Sequence, residues 1–197
     1  MADRSPLSPQ LLIYAYANGY FPMPDPATGQ ICWFRPDPRA VLPLDQFHAS
    51  RSLRQTMKHV PFQIRIDTAF TDVMKACAAP SVREGTWISE EFIGAYSELH
   101  RRGYAHSVEI WLNDQLCGGL YGVAISGAFF AESMFHSVND ASKVALYALI
   151  EHMKKRGMTL LEVQFMTQHL KSMGSIEISD EAYTKVLQEA TASSSRF

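Results

Sequence analysis

The chain has 197 residues, of which 47% are hydrophobic and 19% charged, and a net charge of −2. That suits one large or two small globular domains with a proper core and gives no support for a protein that wraps duplex nucleic acid, which is usually far more basic. Cys32, Cys77 and Cys117 are too widely spaced for a metal pair or a disulfide framework, and no apolar run resembles a signal peptide or a membrane span, so a cytoplasmic protein with no membrane partner is expected.

In chain order, Ser8-Pro9 opens a first helix, Leu11, Leu12, Ala15 and Tyr16 keep its spacing, and Gly19 closes it. Tyr20–Pro26 holds three prolines in five residues, which reads as a fixed apolar loop. Ile31–Phe34 reads as a short strand, Pro36-Asp37-Pro38-Arg39 as a turn and Ala40–Leu42 as another strand. A helix is expected from Ser50 to His59, with Arg51, Arg54 and Lys58 on one face. Phe62–Ile66 alternates like a strand. A helix follows from Thr68 to Ala79 and stops at Pro80.

Ser89, with Glu90 and Glu91 behind it, caps a long helix that ends at Gly103. Ser107–Leu112, Leu116–Ile125 and Ala128–Phe135 then form a meander. Asn139-Asp140 caps a helix from Ala141 to Arg156, and Thr159–Phe165 is the next strand. A short helix at Gln168–Met173, a last helix opened by Ser179, and a frayed tail at Ser193–Phe197 complete the pattern. A meander feeding a helix and a further strand is α+β grammar, with a small N-terminal α/β domain expected over residues 1–60 and a larger one over 61–197.

Charge is uneven along the chain. Residues 1–66 carry seven basic side chains, including Arg4, Arg35, Arg39 and Arg65, against four acidic ones. A basic N-terminal part could meet phosphate while an acidic remainder meets a cation; equally, such charges are often just solvated faces. No P-loop, zinc helix, nucleophile elbow or glycine-rich loop opening a helix occurs. His106, His136 and His169 stand apart from one another and from the cysteines, and no metal is expected.

Three features could carry chemistry. Glu132 interrupts the apolar strand Phe129–Phe135, so it is paired, faces a polar cleft, or points to solvent. Glu162 and Gln164 lie two apart on a strand and share a face, where a carboxylate and a carboxamide can orient an amine or simply form a polar edge. Met23 and Trp87 stand in irregular segments beside Pro and Gly, where a pocket wall is plausible.

The ordered segments Gly19-Tyr20-Phe21-Pro22-Met23, Trp33–Leu42, Phe47–Leu53, Glu84–Ile88, Gly103–Trp111, Gly118–Val123, Glu132-Ser133-Met134-Phe135, Ala141–Leu146 and Gln164 with His169 and Ser172-Met173-Gly174 together resemble the leucyl/phenylalanyl-tRNA–protein transferase family over residues 7–185. The resemblance implies a C-terminal domain of GCN5-related acetyltransferase-like fold, a mixed sheet flanked by helices. It implies transfer of Leu, Phe or Met from aminoacyl-tRNA (Leu-tRNA, Phe-tRNA) to the N-terminal Arg or Lys of an acceptor protein, which marks that protein for degradation. No metal or cofactor is implied, and a monomer is expected.

By the same resemblance, Met23, Trp87, Phe129, Met134, Leu146 and Leu161 line the pocket for the donated side chain, Glu132 is the acidic site residue, and Gln164 stands near the reacting amine, while the acidic pair Glu132 and Glu162 would attract the charged N-terminal residue of the acceptor. The family usually has Asp where this chain has Glu162. One added methylene could move the carboxylate by roughly 1 Å, which can cost on the order of 100-fold in rate. Arg51, Arg54 and Lys58, joined by Lys154, Lys155 and Arg156, are candidates for the tRNA backbone on charge alone. The competing readings are an acyl-CoA-dependent acyltransferase of the same fold, which would want a glycine-rich phosphate loop where Phe135–Ala141 has none, and a non-catalytic tRNA- or peptide-binding module.

Overall fold

The computed structural model describes residues 7–25, 27–79 and 87–197. Arg4, Pro26, Pro80 and Glu84-Gly85-Thr86, used in the sequence reading, lie outside the described residues. Helix α1 spans Pro9–Ala17, and strands β1 (Phe21–Pro24) and β2 (Ile31–Phe34) pair antiparallel as a two-stranded ribbon. The proline-rich stretch expected to be a loop is therefore a strand. Its prolines are tolerated because a two-stranded ribbon is all edge, so the missing N–H groups need not meet a second neighbour.

The remaining strands form one seven-stranded sheet in the order β4-β5-β6-β7-β8-β3-β9. They are β3 (Arg39–Val41), β4 (Gln63–Ile66), β5 (Ala105–Leu112), β6 (Gln115–Ile125), β7 (Ala128–His136), β8 (Leu160–Gln164) and β9 (Ile176–Ile178). All pairs are antiparallel except β7 with β8, so the sheet is mixed and the expected α+β class holds. Arg39, expected in a turn, begins β3, and β9 has no counterpart in the sequence reading because three residues carry no period.

Helices α2 (Arg51–His59), α3 (Phe70–Ala78), α4 (Glu90–Arg101), α5 (Ala141–Lys155), α6 (Gln168–Ser172) and α7 (Asp180–Ala192) cover the sheet. Four begin as their sequences dictate, with Ser50, Ser89, Thr167 and Ser179 each accepting a backbone N–H from the first turn. Asp140 departs from that rule. It stands at the cap of α5 in left-handed conformation without capping it, and its carboxylate instead binds Thr56 and Lys143, tying α2 to α5.

Side chains alternate along the strands and so divide the interior in two. Tyr16, Tyr96, Tyr121, Phe130 and Tyr183 belong to the core beneath α1, α3, α4 and α7. Leu120, Phe129, Leu146, Leu149 and Leu161 belong to the core beneath α5. The tail is not frayed as expected: Phe197 stacks on His106 at 4.1 Å, and the Arg156 guanidinium donates to the carbonyl oxygens of Arg196 and Phe197 at 2.9 and 2.8 Å.

Candidate functional site

The parallel pairing of β7 with β8 lasts only three residues, from Ala128↔Leu160 to Phe130↔Glu162. Beyond it β7 continues along β6 to His136 while β8 stops at Gln164. Two strands that part company leave a wedge that no backbone fills. A cavity of about 90 Å³ opens there, lined by Glu132, Met134, Leu146 and Gln164 together with Leu120, Val163 and Leu170.

A β-bulge aims the carboxylate. Tyr121 pairs with Ser133 and Gly122 with Ala131, so Glu132 is the extra, unpaired residue, and an added residue turns the side chains that follow to the opposite face. This is why Ala131 and Met134, three apart, both pack on the α5 side. Gly122 lies under the bulge, where a Cβ would stand 2.2 Å from the Phe130 carbonyl oxygen.

Glu132 Oε1 accepts from the Tyr16 hydroxyl at 2.6 Å and from the Gln164 side-chain amide at 3.0 Å. Burial pushes the carboxyl up to about 8, with the nearby Glu162 carboxylate adding to it and the two donors opposing. Tyr16 also hydrogen-bonds Tyr96. Gln164 sits in left-handed backbone conformation, φ +62°, with its own N–H held by Glu162 Oε1 at 2.8 Å. That conformation breaks the strand's alternation and lets Gln164 line the cavity while Glu162 does not.

Glu162 therefore lies one layer beneath the position the sequence reading gave it. Its side chain is 1% exposed and paired with Arg39 at 3.0 Å, and it does not line the cavity. Met134 and Leu146 line the cavity. Phe129 and Leu161 are buried in the core on the same side of the sheet without lining it, and Phe129 packs 5.3 Å from Phe197. Met23 and Trp87 are half-buried against the opposite core, Trp87 meeting Phe92 edge-on at 5.3 Å. The set named from sequence thus divides between the two faces of the sheet.

Tyr16 and Arg39 belong to the site and escaped the sequence reading. In the sequence Tyr16 only keeps the helical spacing of α1, and Arg39 reads as a turn residue. Each meets its partner more than a hundred positions away, so no local pattern could mark them. Arg51, Arg54 and Lys58 are all exposed on α2, whose Leu53 and Met57 pack into the α5 core, so the basic helix shares a sheet face with the cavity. Among the described residues no group of three or more His, Cys, Asp and Glu is gathered for a metal ion, and no helix is long and apolar enough to cross a membrane.

Comparison with known proteins adds to this geometry. The family described as leucyl/phenylalanyl-tRNA protein transferase matches residues 41–188, and its N-terminal domain matches residues 5–37. A leucyl/phenylalanyl-tRNA–protein transferase of Herpetosiphon aurantiacus is 52% identical over 97% of this chain and 98% of its own length. One of Akkermansia muciniphila is 46% identical over 96% of this chain and 98% of its own. Among solved structures, an acetyltransferase of Salmonella typhimurium that modifies the N-terminal serine of ribosomal protein L7/L12 aligns with 60% of this chain and 70% of its own at 19% identity and a TM-score of 0.34.

Proposed function

The chain belongs to the leucyl/phenylalanyl-tRNA–protein transferase family, aminoacyltransferases that move Leu or Phe from aminoacyl-tRNA to a protein N-terminus, and from that premise we propose how its residues do so. The apolar end of the cavity, Leu120, Met134, Leu146 and Leu170, takes the donated side chain. Glu132 and Gln164 hold the incoming amine against the ester carbon. The observation that carries this reading is the 3.0 Å hydrogen bond joining Gln164 to Glu132 at the cavity wall.

The chemistry asks for little more. An aminoacyl ester is already activated, so no covalent nucleophile is needed, and positioning alone can supply about 7–11 kcal/mol of the barrier. The ammonium must lose a proton. A carboxylate held up at about 8 is matched to an α-amine of about 7.7–8.0, the condition for efficient proton transfer. An acceptor whose first residue is Arg or Lys brings a second cation near Glu132 and favours its ionised, proton-accepting form.

Arg51, Arg54 and Lys58 meet the tRNA backbone on the face shared with the cavity, and the protein works as a cytoplasmic monomer whose products are marked for degradation. The test is transfer of labelled Leu from Leu-tRNA to peptides beginning with Arg, Lys, Asp or Glu. Transfer to Arg and Lys peptides is expected. Peptide binding with no transfer, or transfer only from an acyl-CoA, would defeat the reading.

A further inference from the structure

Arg39 is 0% exposed, a placement tolerated only where a guanidinium is matched closely. Its Nη1 donates to Glu162 Oε1 at 3.0 Å, its Nη2 donates to the Gly19 carbonyl, and its plane stands 4.4 Å over the Tyr183 ring and 5.5 Å over that of Phe21. These partners come from the α1–β1 turn, β1, β8 and α7. The neighbouring residue, Ala40, pairs directly with Gln164 at a register shift between β3 and β8. The Glu162 oxygen bound by Arg39 is the oxygen that accepts the Gln164 N–H.

Gln164 needs this support. A left-handed backbone is unfavourable for a residue with a Cβ and persists only where the surroundings over-determine it. We propose that Arg39 is a positioning residue of the transfer reaction: through Glu162 it fixes the backbone of Gln164 in the conformation that aims its carboxamide at Glu132. The inference rests on the reading of the cavity given above.

Burial pushes the Glu162 carboxyl up and Arg39 opposes that shift. Without Arg39 the Glu162 Oε1 loses the donor that fixes it in place and so holds the Gln164 N–H less firmly. Gln164 then relaxes toward ordinary extended backbone and its carboxamide leaves Glu132. Lysine cannot replace the guanidinium fully, because one ammonium cannot span Glu162 and Gly19 in a planar fork while stacking on Tyr183.

The experiment compares Arg39→Lys, Arg39→Met, Arg39→Met/Glu162→Met and Gln164→Ala, with kcat, donor affinity, peptide KM and thermal midpoint measured for each. Replacing a buried ion pair by two apolar side chains is often tolerated, so the double variant keeps the test informative if Arg39→Met alone does not fold. It should lose roughly 100-fold in kcat with donor affinity unchanged. Arg39→Lys should fall between it and the unaltered protein, and adding Gln164→Ala to the double variant should cost little more. A double variant that folds and turns over normally while Gln164→Ala is impaired overturns this proposal alone. Normal turnover in Gln164→Ala overturns the reading of the cavity and this proposal with it.

Discussion

The side-chain amide of Gln164 meets the carboxylate of Glu132 at 3.0 Å, bridging the ends of two strands that have already parted. One partner stands there because of a bulge and the other because of a left-handed backbone. Both are departures from regular strand geometry, and each concentrates at the wall of the same cavity.

Removing the carboxamide should separate chemistry from binding. Gln164→Ala is expected to lower kcat by roughly 10- to 100-fold while aminoacyl-tRNA affinity stays within about twofold. Gln164→Gly should be equally inactive and about 1 kcal/mol more stable than Gln164→Ala, since glycine accepts φ +62° without a Cβ penalty. Chemical denaturation gives the stability comparison, and equal stability of the two variants would contradict the strain.

Turnover should depend on the ionisation of Glu132. Its carboxyl is pushed up to about 8, chiefly by burial, so it is protonated below that pH and gains the ability to accept a proton as pH rises through it. At saturating substrates kcat should climb between pH 7 and 9. Tyr16→Phe removes a donor that stabilises the charged form and should move the rise to higher pH. Glu132→Gln should lower kcat by about 100-fold or more. A rise that stays in place in both variants belongs to the acceptor amine and removes Glu132 as the base.

The cavity should set donor preference. A dry cavity of 150 Å³ holds benzene, whereas this one is about 90 Å³, so Leu is expected to be transferred faster than Phe. Met134→Ala widens it and should raise the Phe-to-Leu ratio by roughly tenfold, read from competition between Leu-tRNA and Phe-tRNA. Leu146→Ala should do likewise and, at 1% exposure, should also cost about 2–5 kcal/mol of stability.

The bulge should tolerate no side chain beneath it. In Gly122→Ala the new methyl would meet the Phe130 carbonyl oxygen at 2.2 Å and the Phe129 ring at 2.5 Å. Neither is the free end of a flexible chain. A loss of about 3 kcal/mol, measured by denaturation, and displacement of Glu132, seen as lost turnover, are expected together.

The sequence by itself determined most of the regular elements and supplied the candidates for the site. Ser50, Ser89 and Ser179 announced helix starts, alternation over Ser107–Leu112 followed by apolar runs at Leu116–Ile125 and Ala128–Phe135 announced the meander, and the ordered motifs around Met134, Leu146, Glu132 and Gln164 announced the family and four residues that line the cavity. These signals are local, or they are a fixed order along the chain, and a single sequence carries both. Only the tertiary structure decided that Glu162 lies beneath the cavity rather than in it, that Tyr16 and Arg39 belong to the site, and that Met23 and Trp87 stand across the sheet from Leu146. The reason is physical. A one-residue bulge and one left-handed residue reverse which face a side chain takes, and what stabilises them is contact with segments more than a hundred positions distant, which no local periodicity records.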